Sequence, residues 1–266
     1  MRCSDLTRQL DLLAPSEYAC DWDNPGLLAG WSEKEVHRIL VALDATDEVV
    51  AQAVREKADL LVTHHPLIFK PLKKVNDQDF VSRRILTMIQ HGICYFAMHT
   101  NFDIAPGCMA DLAAAQLGMN AEEPLEVTGE ADGVPVGIGK IGSMAVPVTV
   151  EELARLVKER FGLPYVTVYG MDQVQGPVTR IALSPGSGGS MIRHGLAKGA
   201  QVLITGDIGH HEGIDAAANQ MAVIDAGHYG LEHIFIPFMK EYLEELAGDQ
   251  VTVLTAAPAF PAQVIV

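Results

Sequence analysis

Two kinds of apolar pattern alternate along the chain. Short unbroken apolar runs have the length of buried strands, and the stretches between them carry apolar residues at helical spacing. Residues 5–20 predict a first amphipathic helix, followed by a loop, DWDNPGLLAG, rich in turn-forming residues. RILVALDA, Arg38 to Ala45, reads as a buried strand. A helix follows, with Thr46 or Asp47 as its N-cap and Val49, Val50, Ala53 and Val54 along one face. ADLLVTHHP is a second strand, Phe80 to Gln90 a helix, ICYFAMHTNFD a third strand, and Asp111 to Leu117 a further helix. Strands separated by helices imply a parallel sheet with crossover connections.

The second half repeats this plan. TRIALSPG matches HRILVALD, and AQVLITGD matches ADLLVTHH. Arg38 and Arg180 lie 142 residues apart, as do Thr63 and Thr205 (180 − 38 and 205 − 63). YFAMHTNFD also matches VIDAGHYGLE, which aligns His99 with His228 and Asp103 with Glu232. Helix Val150 to Phe161 and strand Tyr165 to Tyr169 lead into the second repeat. The expected fold is α/β: two related halves forming a pseudo-symmetric layered structure, with a metal site between them at the strand carboxyl ends. The expected halves are residues 1–125 and 126–266, joined through EEPLEVTGEADGVPVG, with the C-terminal strands free to cross back to the first half.

Composition narrows the function classes. Nineteen basic against 34 acidic residues give a net charge of −15, which argues against non-specific nucleic-acid binding. No uncharged apolar run approaches the ~20 residues of a membrane helix. The first residues lack the apolar core and cleavage site of an export signal, so the expected location is cytoplasmic. The four cysteines form no C-x-x-C pair and read as reduced thiols.

The ten histidines change the picture because they cluster. In α/β sheets, ligands bind beyond the carboxyl ends of the strands. His64 and His65 end one apolar run; His99 and Asp103 follow the next. Asp207, His210 and His211, then His228 and Glu232, occupy the matching places in the second half. A single histidine at a strand end is ordinarily a hydrogen-bonded structural residue. Four such constellations at four strand ends weigh against four independent structural explanations. Imidazole with carboxylate is the ligand mix of zinc, iron or manganese, and two ions bridged by a carboxylate would use this many groups. Pro66 turns the chain after His65, which lets neighbouring imidazoles serve one site. His37, His91, His194 and His233 fit no such pattern and read as structural.

Two glycine-rich motifs are weaker. SPGSGGS, Ser184 to Ser190, could dock phosphate on backbone amides but lacks the lysine of a P-loop. GIGKIG, Gly137 to Gly142, leads into no helix, so the dinucleotide reading is rejected.

THHPLIFKPLK, MHTNFD, GDIGHHE and GHYGLE, in this order, together with DWDNPGLLAG and VALDAT, resemble the GTP cyclohydrolase 1 type 2 homologs. These are also called the dinuclear metal-centre hexameric protein family, and the resemblance spans nearly the whole chain. It implies five metal ligands, His64, His65, Asp103, His228 and Glu232. Two divalent ions would be held per chain, with Glu232 bridging. His64 and His228 would favour one ion, and His65 and Asp103 the other. It implies roles beside the metals or in catalysis for His99, His210, His211 and Asp207, and a toroidal homohexamer built as a trimer of dimers. Pro25, Lys140 and Leu231 depart from the residues more usual in the family; none removes a ligand.

The resemblance thus implies a metal-dependent hydrolase acting on a small molecule, with ring opening of GTP and formate release as the specific reaction. His99, His210 or His211 would move protons. A phosphatase or phosphodiesterase is the alternative enzyme, and a ring that stores, delivers or scaffolds metal is the non-enzymatic one.

Overall fold

The computed structural model describes residues 1–257. The chain opens with helix α1 (Cys3–Leu13), then strands β1 (Gly26–Ala29) and β2 (Arg38–Ala42), helix α2 (Asp47–Arg55), β3 (Leu60–Thr63), α3 (Phe80–Gln90), β4 (Cys94–Ala97) and the short α4 (Thr100–Ile104). There follow α5 (Met109–Leu117), β5 (Met119–Ala131), β6 (Val134–Met144), α6 (Val150–Arg160), β7 (Thr167–Tyr169), β8 (Ile181–Ser187) and α7 (Ile192–Ala197). The remaining elements are β9 (Val202–Gly206), α8 (His210–Ala218), β10 (Ala222–Asp225), α9 (His228–Glu232), α10 (Phe235–Ala247) and β11 (Thr252–Thr255). Among the described residues they form two compact units: Met1–Phe102 together with 235–257, and Asp103–Ile234. Among the described residues, no helix is long and apolar enough to cross a membrane.

The first unit holds a five-stranded sheet in the order β1-β4-β3-β2-β11, parallel except for β1. Its central strands β3 and β4 are buried on both faces, so they read in sequence as unbroken apolar runs. Leu40, Leu61, Tyr95, Ile85 and Met88 form the core of one face. Helix α1 ends at Leu13, short of the expected residue 20, because Pro15 disfavours helical geometry at Ala14, where ψ is 87°. Thr46 caps α2 as expected, its hydroxyl accepting from Val49 N at 3.2 Å.

The second unit holds a six-stranded sheet in the order β5-β6-β8-β9-β10-β7, with β8, β9 and β10 parallel. Leu125, Ile141, Leu203 and Val223 lie in its core. The stretch expected as a linker is the β5–β6 hairpin, and residue 125 lies inside β5. Asp132 and Gly133 make the two-residue turn, with φ of 50° and 81°, between the paired residues Ala131 and Val134. Two successive positive φ values at Asp-Gly are the signature of a tight hairpin turn. GIGKIG lies within β6, so no helix follows it.

The repeat extends to strand register. Ile39 faces Leu60 across β2 and β3, and Ile181 faces Val202 across β8 and β9, again 142 residues on. Asp59 Oδ2 accepts from the amides of His37 and Arg38, and Gln201 Oε1 accepts from those of Thr179 and Arg180. A carboxylate in one copy and an amide in the other thus satisfy equivalent backbone amides at the entry to the first repeat strand.

The turn after β3 is held from beneath by Tyr95 on β4. Its buried hydroxyl donates to His65 O at 2.9 Å and accepts from Leu67 N at 2.7 Å, and Thr63 Oγ1 lies 2.8 Å away. Burial pushes the phenol up to about 12, so it stays protonated. Tyr95→Phe removes the acceptor of Leu67 N and one of the donors to His65 O. It is expected to cost roughly 1–3 kcal/mol in urea unfolding; an unchanged midpoint would show that the hydroxyl does not clamp the turn.

Candidate metal-binding sites

In the first unit, the sheet's carboxyl end brings three imidazoles together. His64 and His65 follow β3, and His99 follows β4. One ring nitrogen of each lies within 4.8 Å of the others. His64 is fully buried, its ring packed beside those of Phe102 and Phe235. The parallel pairing of β3 and β4 puts His64 and His99 at the same sheet edge, which is why residues 35 apart in sequence meet.

Each ring is oriented by a bond to its Nδ1. His64 Nδ1 lies 2.7 Å from the backbone oxygen of Met98, His65 Nδ1 2.8 Å from Asp44 Oδ1, and His99 Nδ1 2.7 Å from Asp23 Oδ1. A carbonyl or carboxylate oxygen can only accept, so Nδ1 carries the hydrogen and Nε2 carries the lone pair. This tautomer, fixed by a carbonyl or carboxylate behind the ring, is the one found in histidines that ligate metals. Asp23 is fully buried and also accepts from Thr100 N and Oγ1. Burial alone would raise its carboxyl, but the bonds from His99 and Thr100 outweigh that and hold it at about 2.

In the second unit, His228 and Glu232 share one face of α9. His228 Nδ1 lies 2.7 Å from Asp207 Oδ2, and Nε2 lies 3.0 Å from the buried carboxylate of Glu232. The ring therefore sits between two acceptors. With the hydrogen on Nδ1, the lone pair of Nε2 faces a carboxylate oxygen, an arrangement that calls for a proton or a metal cation on that side. Asp207 adopts a left-handed backbone, φ 57°, rare for a residue with a side chain and frequent where a site demands it. Asp225 accepts from Ile208 N and Gly227 N, shaping the turns that carry Asp207 and His228.

Two glycines make room for this geometry. At Gly186, where φ is 80°, a Cβ would lie 2.5 Å from Glu232 Oε1; at Gly206 it would lie 2.4 Å from the amide nitrogen of His228. Within the glycine-rich SPGSGGS segment, Gly186 thus serves close packing against α9, while Gly188 packs against Thr205 and Gly189 against Glu212. A cavity of about 270 Å³ adjoins His228, lined in part by Leu163, Tyr165, Asp207, Asp225 and Tyr229.

The other singled-out residues fall as follows. Asp103 lies half-buried on α4. His210 and His211 open α8, both exposed, their rings 5.3 Å apart. Neither joins a cluster of three ligand-type side chains among the described residues. His233 turns its Nδ1 to the carbonyls of Tyr229 and Gly230, and its ring stacks on Tyr229. Sequence reasoning did not single out Asp23, Asp44 or Asp225, although the DWDN and VALD motifs contain the first two.

The donor set is thus nitrogen and oxygen without thiolate, with imidazole tautomers fixed by acceptors behind them. That chemistry fits divalent transition metals. Residues 1–258 match the family described as Duf34/NIF3 (NGG1p interacting factor 3).

The chain belongs to the Duf34/NIF3 family.

Among relatives in this family, a Streptococcus pneumoniae protein named GTP cyclohydrolase 1 type 2 homolog is 34% identical over 252 residues, covering 94% of this chain and 93% of the relative. One of that name from Streptomyces coelicolor is 34% identical over 247 residues, covering 92% and 87%. The crystal structure of a hypothetical protein from Staphylococcus aureus is similar throughout, with a TM-score of 0.85 and 29% identity over 100% of this chain and 99% of that one. The Duf34/NIF3 assignment agrees with the resemblance drawn from the histidine motifs.

The Asp23–His99 bond carries a testable pH dependence. A carboxyl held at about 2 against an ordinary 3.8 contributes stability that is present above pH 3.8 and is lost as the pH falls toward 2. Thermal melts of the wild type and Asp23→Asn from pH 6 to pH 2 are expected to differ most at the upper end and to converge below about pH 4. A gap independent of pH would contradict this bond's role.

Proposed function

We propose that this Duf34/NIF3 protein is a dinuclear metal-dependent hydrolase. In this reading His64, His65, Asp103, His228 and Glu232 hold two divalent cations of zinc, iron or manganese. The observation that carries the reading is the shared orientation of the histidines. His64, His65 and His228 each place Nδ1 against an oxygen acceptor, which leaves Nε2 as the ligating atom. When bound, such a pair of ions draws a nucleophile from water near neutral pH and polarises the bond under attack.

The protein's own groups supply the rest. Asp44 and Asp207 hold His65 and His228 in the ligating tautomer and raise their basicity. Glu232, buried and 3.0 Å from His228 Nε2, would supply a carboxylate to the cations. His99, fixed by the buried Asp23, moves the proton to the leaving group, with His210 and His211 as further proton carriers at the start of α8. The proposed reaction is GTP cyclohydrolase-type: one water adds at C8 of the guanine ring and a C8–N bond of the imidazole ring breaks, its nitrogen taking a proton, and a second water hydrolyses the resulting formamide to release formate. The names of the relatives support that choice of substrate. Self-association as a homohexamer belongs to the same reading and is checked by light scattering.

Elemental analysis of purified protein is expected to give two metal ions per chain. Metal-loaded protein is expected to release formate from GTP, and His228→Ala to lose both one or more ions and the activity. Equal formate release by the two proteins would remove the assignment. Asp44→Asn, which keeps the shape but not the charge behind His65, is expected to weaken metal affinity by about 10- to 100-fold in a competition titration with a chromogenic chelator.

A further inference from the structure

What the substrate presents to the first unit's imidazole cluster is legible from two rings beside it. Trp22 is 58% exposed and Phe69 45% exposed, high values for side chains of this size. Scattered exposed apolar residues are ordinary. These two are not scattered. Their centroids are 5.8 Å apart with planes inclined at 54°, and both lie near His99, Trp22 at 5.9 Å and Phe69 at 6.4 Å. His99 in turn lies 5.4 Å from His64 and 5.5 Å from His65. An exposed aromatic pair therefore adjoins the cluster directly.

The backbone that carries the rings is held in place. Asp23, the residue after Trp22, is buried and bonded to His99 and Thr100. Cys20 N donates to Thr100 Oγ1 at 2.9 Å. Asn24 Nδ2 donates to the backbone oxygen of Ile68 at 2.6 Å, which ties the Trp22 loop to the residue preceding Phe69. The two loops are thus fastened to each other and to the His99 segment before any ligand arrives. Loops fastened in this way add no loop-ordering cost to binding. Their exposed faces suit a flat π-system, since any nucleobase stacks on an aromatic side chain, whereas a phosphate offers neither a face nor apolar area to cover.

We infer that Trp22 and Phe69 form a stacking platform that receives the planar heterocycle of the substrate beside His99. The inference rests on the proposed function in placing a substrate there, and it assigns the specificity for an aromatic ring to two residues outside the ligand set.

The chain has two tryptophans, so in Trp31→Phe protein the emission reports on Trp22 alone. Metal content is measured on the same samples. Titration with guanosine, adenosine and cytidine is expected to quench Trp22 saturably with at least one of them, and ribose 5-phosphate is expected to leave it unquenched. Phe69→Ala is expected to weaken the quenching nucleoside about tenfold, within the range for loss of one stacked aromatic, with metal content unchanged. Phe69→Tyr is expected to restore it. Quenching by none of the nucleosides, equal quenching by ribose 5-phosphate, or equal affinity in Phe69→Ala overturns the platform. The two proposals fail separately. Protein that binds no metal yet shows Phe69-dependent quenching refutes the hydrolase and keeps the platform. Protein that releases formate but binds nucleosides alike with and without Phe69 does the reverse.

Discussion

The structure's chemistry depends on a short hydrogen bond repeated four times: a histidine Nδ1–H donating to an oxygen acceptor 2.7–2.8 Å away. Alone, each bond contributes modestly to stability. Its larger effect is to fix which nitrogen keeps a lone pair and where that lone pair points. An imidazole without such a partner exchanges tautomers and rotates. An imidazole with one is committed to presenting Nε2, and where the acceptor is a carboxylate, as behind His65, His99 and His228, its negative charge makes that nitrogen a better donor to a cation. Asp23, Asp44 and Asp207 are therefore as much part of the chemistry as the rings they hold.

Burial makes that commitment consequential. His64 has no exposed surface and Glu232 has 2%. A carboxylate at that depth demands compensation, by a proton or by a cation. The placement of glycine at Gly186 shows the packing tightened around the carboxylate, since any side chain there would meet Glu232 Oε1. Strain points the same way: Asp207 holds a backbone conformation that residues with side chains seldom adopt, and its carboxylate is the one behind His228.

Much of the fold was legible because buried parallel strands announce themselves as unbroken apolar runs. The repeat was legible to single-residue accuracy, since the 142-residue offset between Arg38 and Arg180 is also the offset between the facing pairs of β2–β3 and β8–β9. The β5–β6 hairpin reads as a linker because its exposed positions mix Glu, Thr, Gly and Pro with Val127 and Val134 in no clean alternation; the Asp132-Gly133 turn is the available signal. Positions of the histidines at strand ends were visible, but their partners were not. Asp23 lies 76 residues from His99 and Asp44 lies 21 from His65, separations that only the sheet's topology closes. The same holds for Trp22 and Phe69, which look like ordinary loop residues until the Asn24–Ile68 bond brings their segments together.

The proposed metal chemistry turns on which ring nitrogen carries the hydrogen and which meets the cation. Long-range proton–nitrogen correlation spectra of protein labelled with nitrogen-15 in histidine read both at once. The expected result is the Nδ1–H tautomer for His64 and His65 in metal-free protein, with their Nε2 resonances, and that of His228, moving on addition of zinc while Nδ1 stays protonated. Nε2-protonated rings, or Nε2 resonances indifferent to zinc, would contradict it.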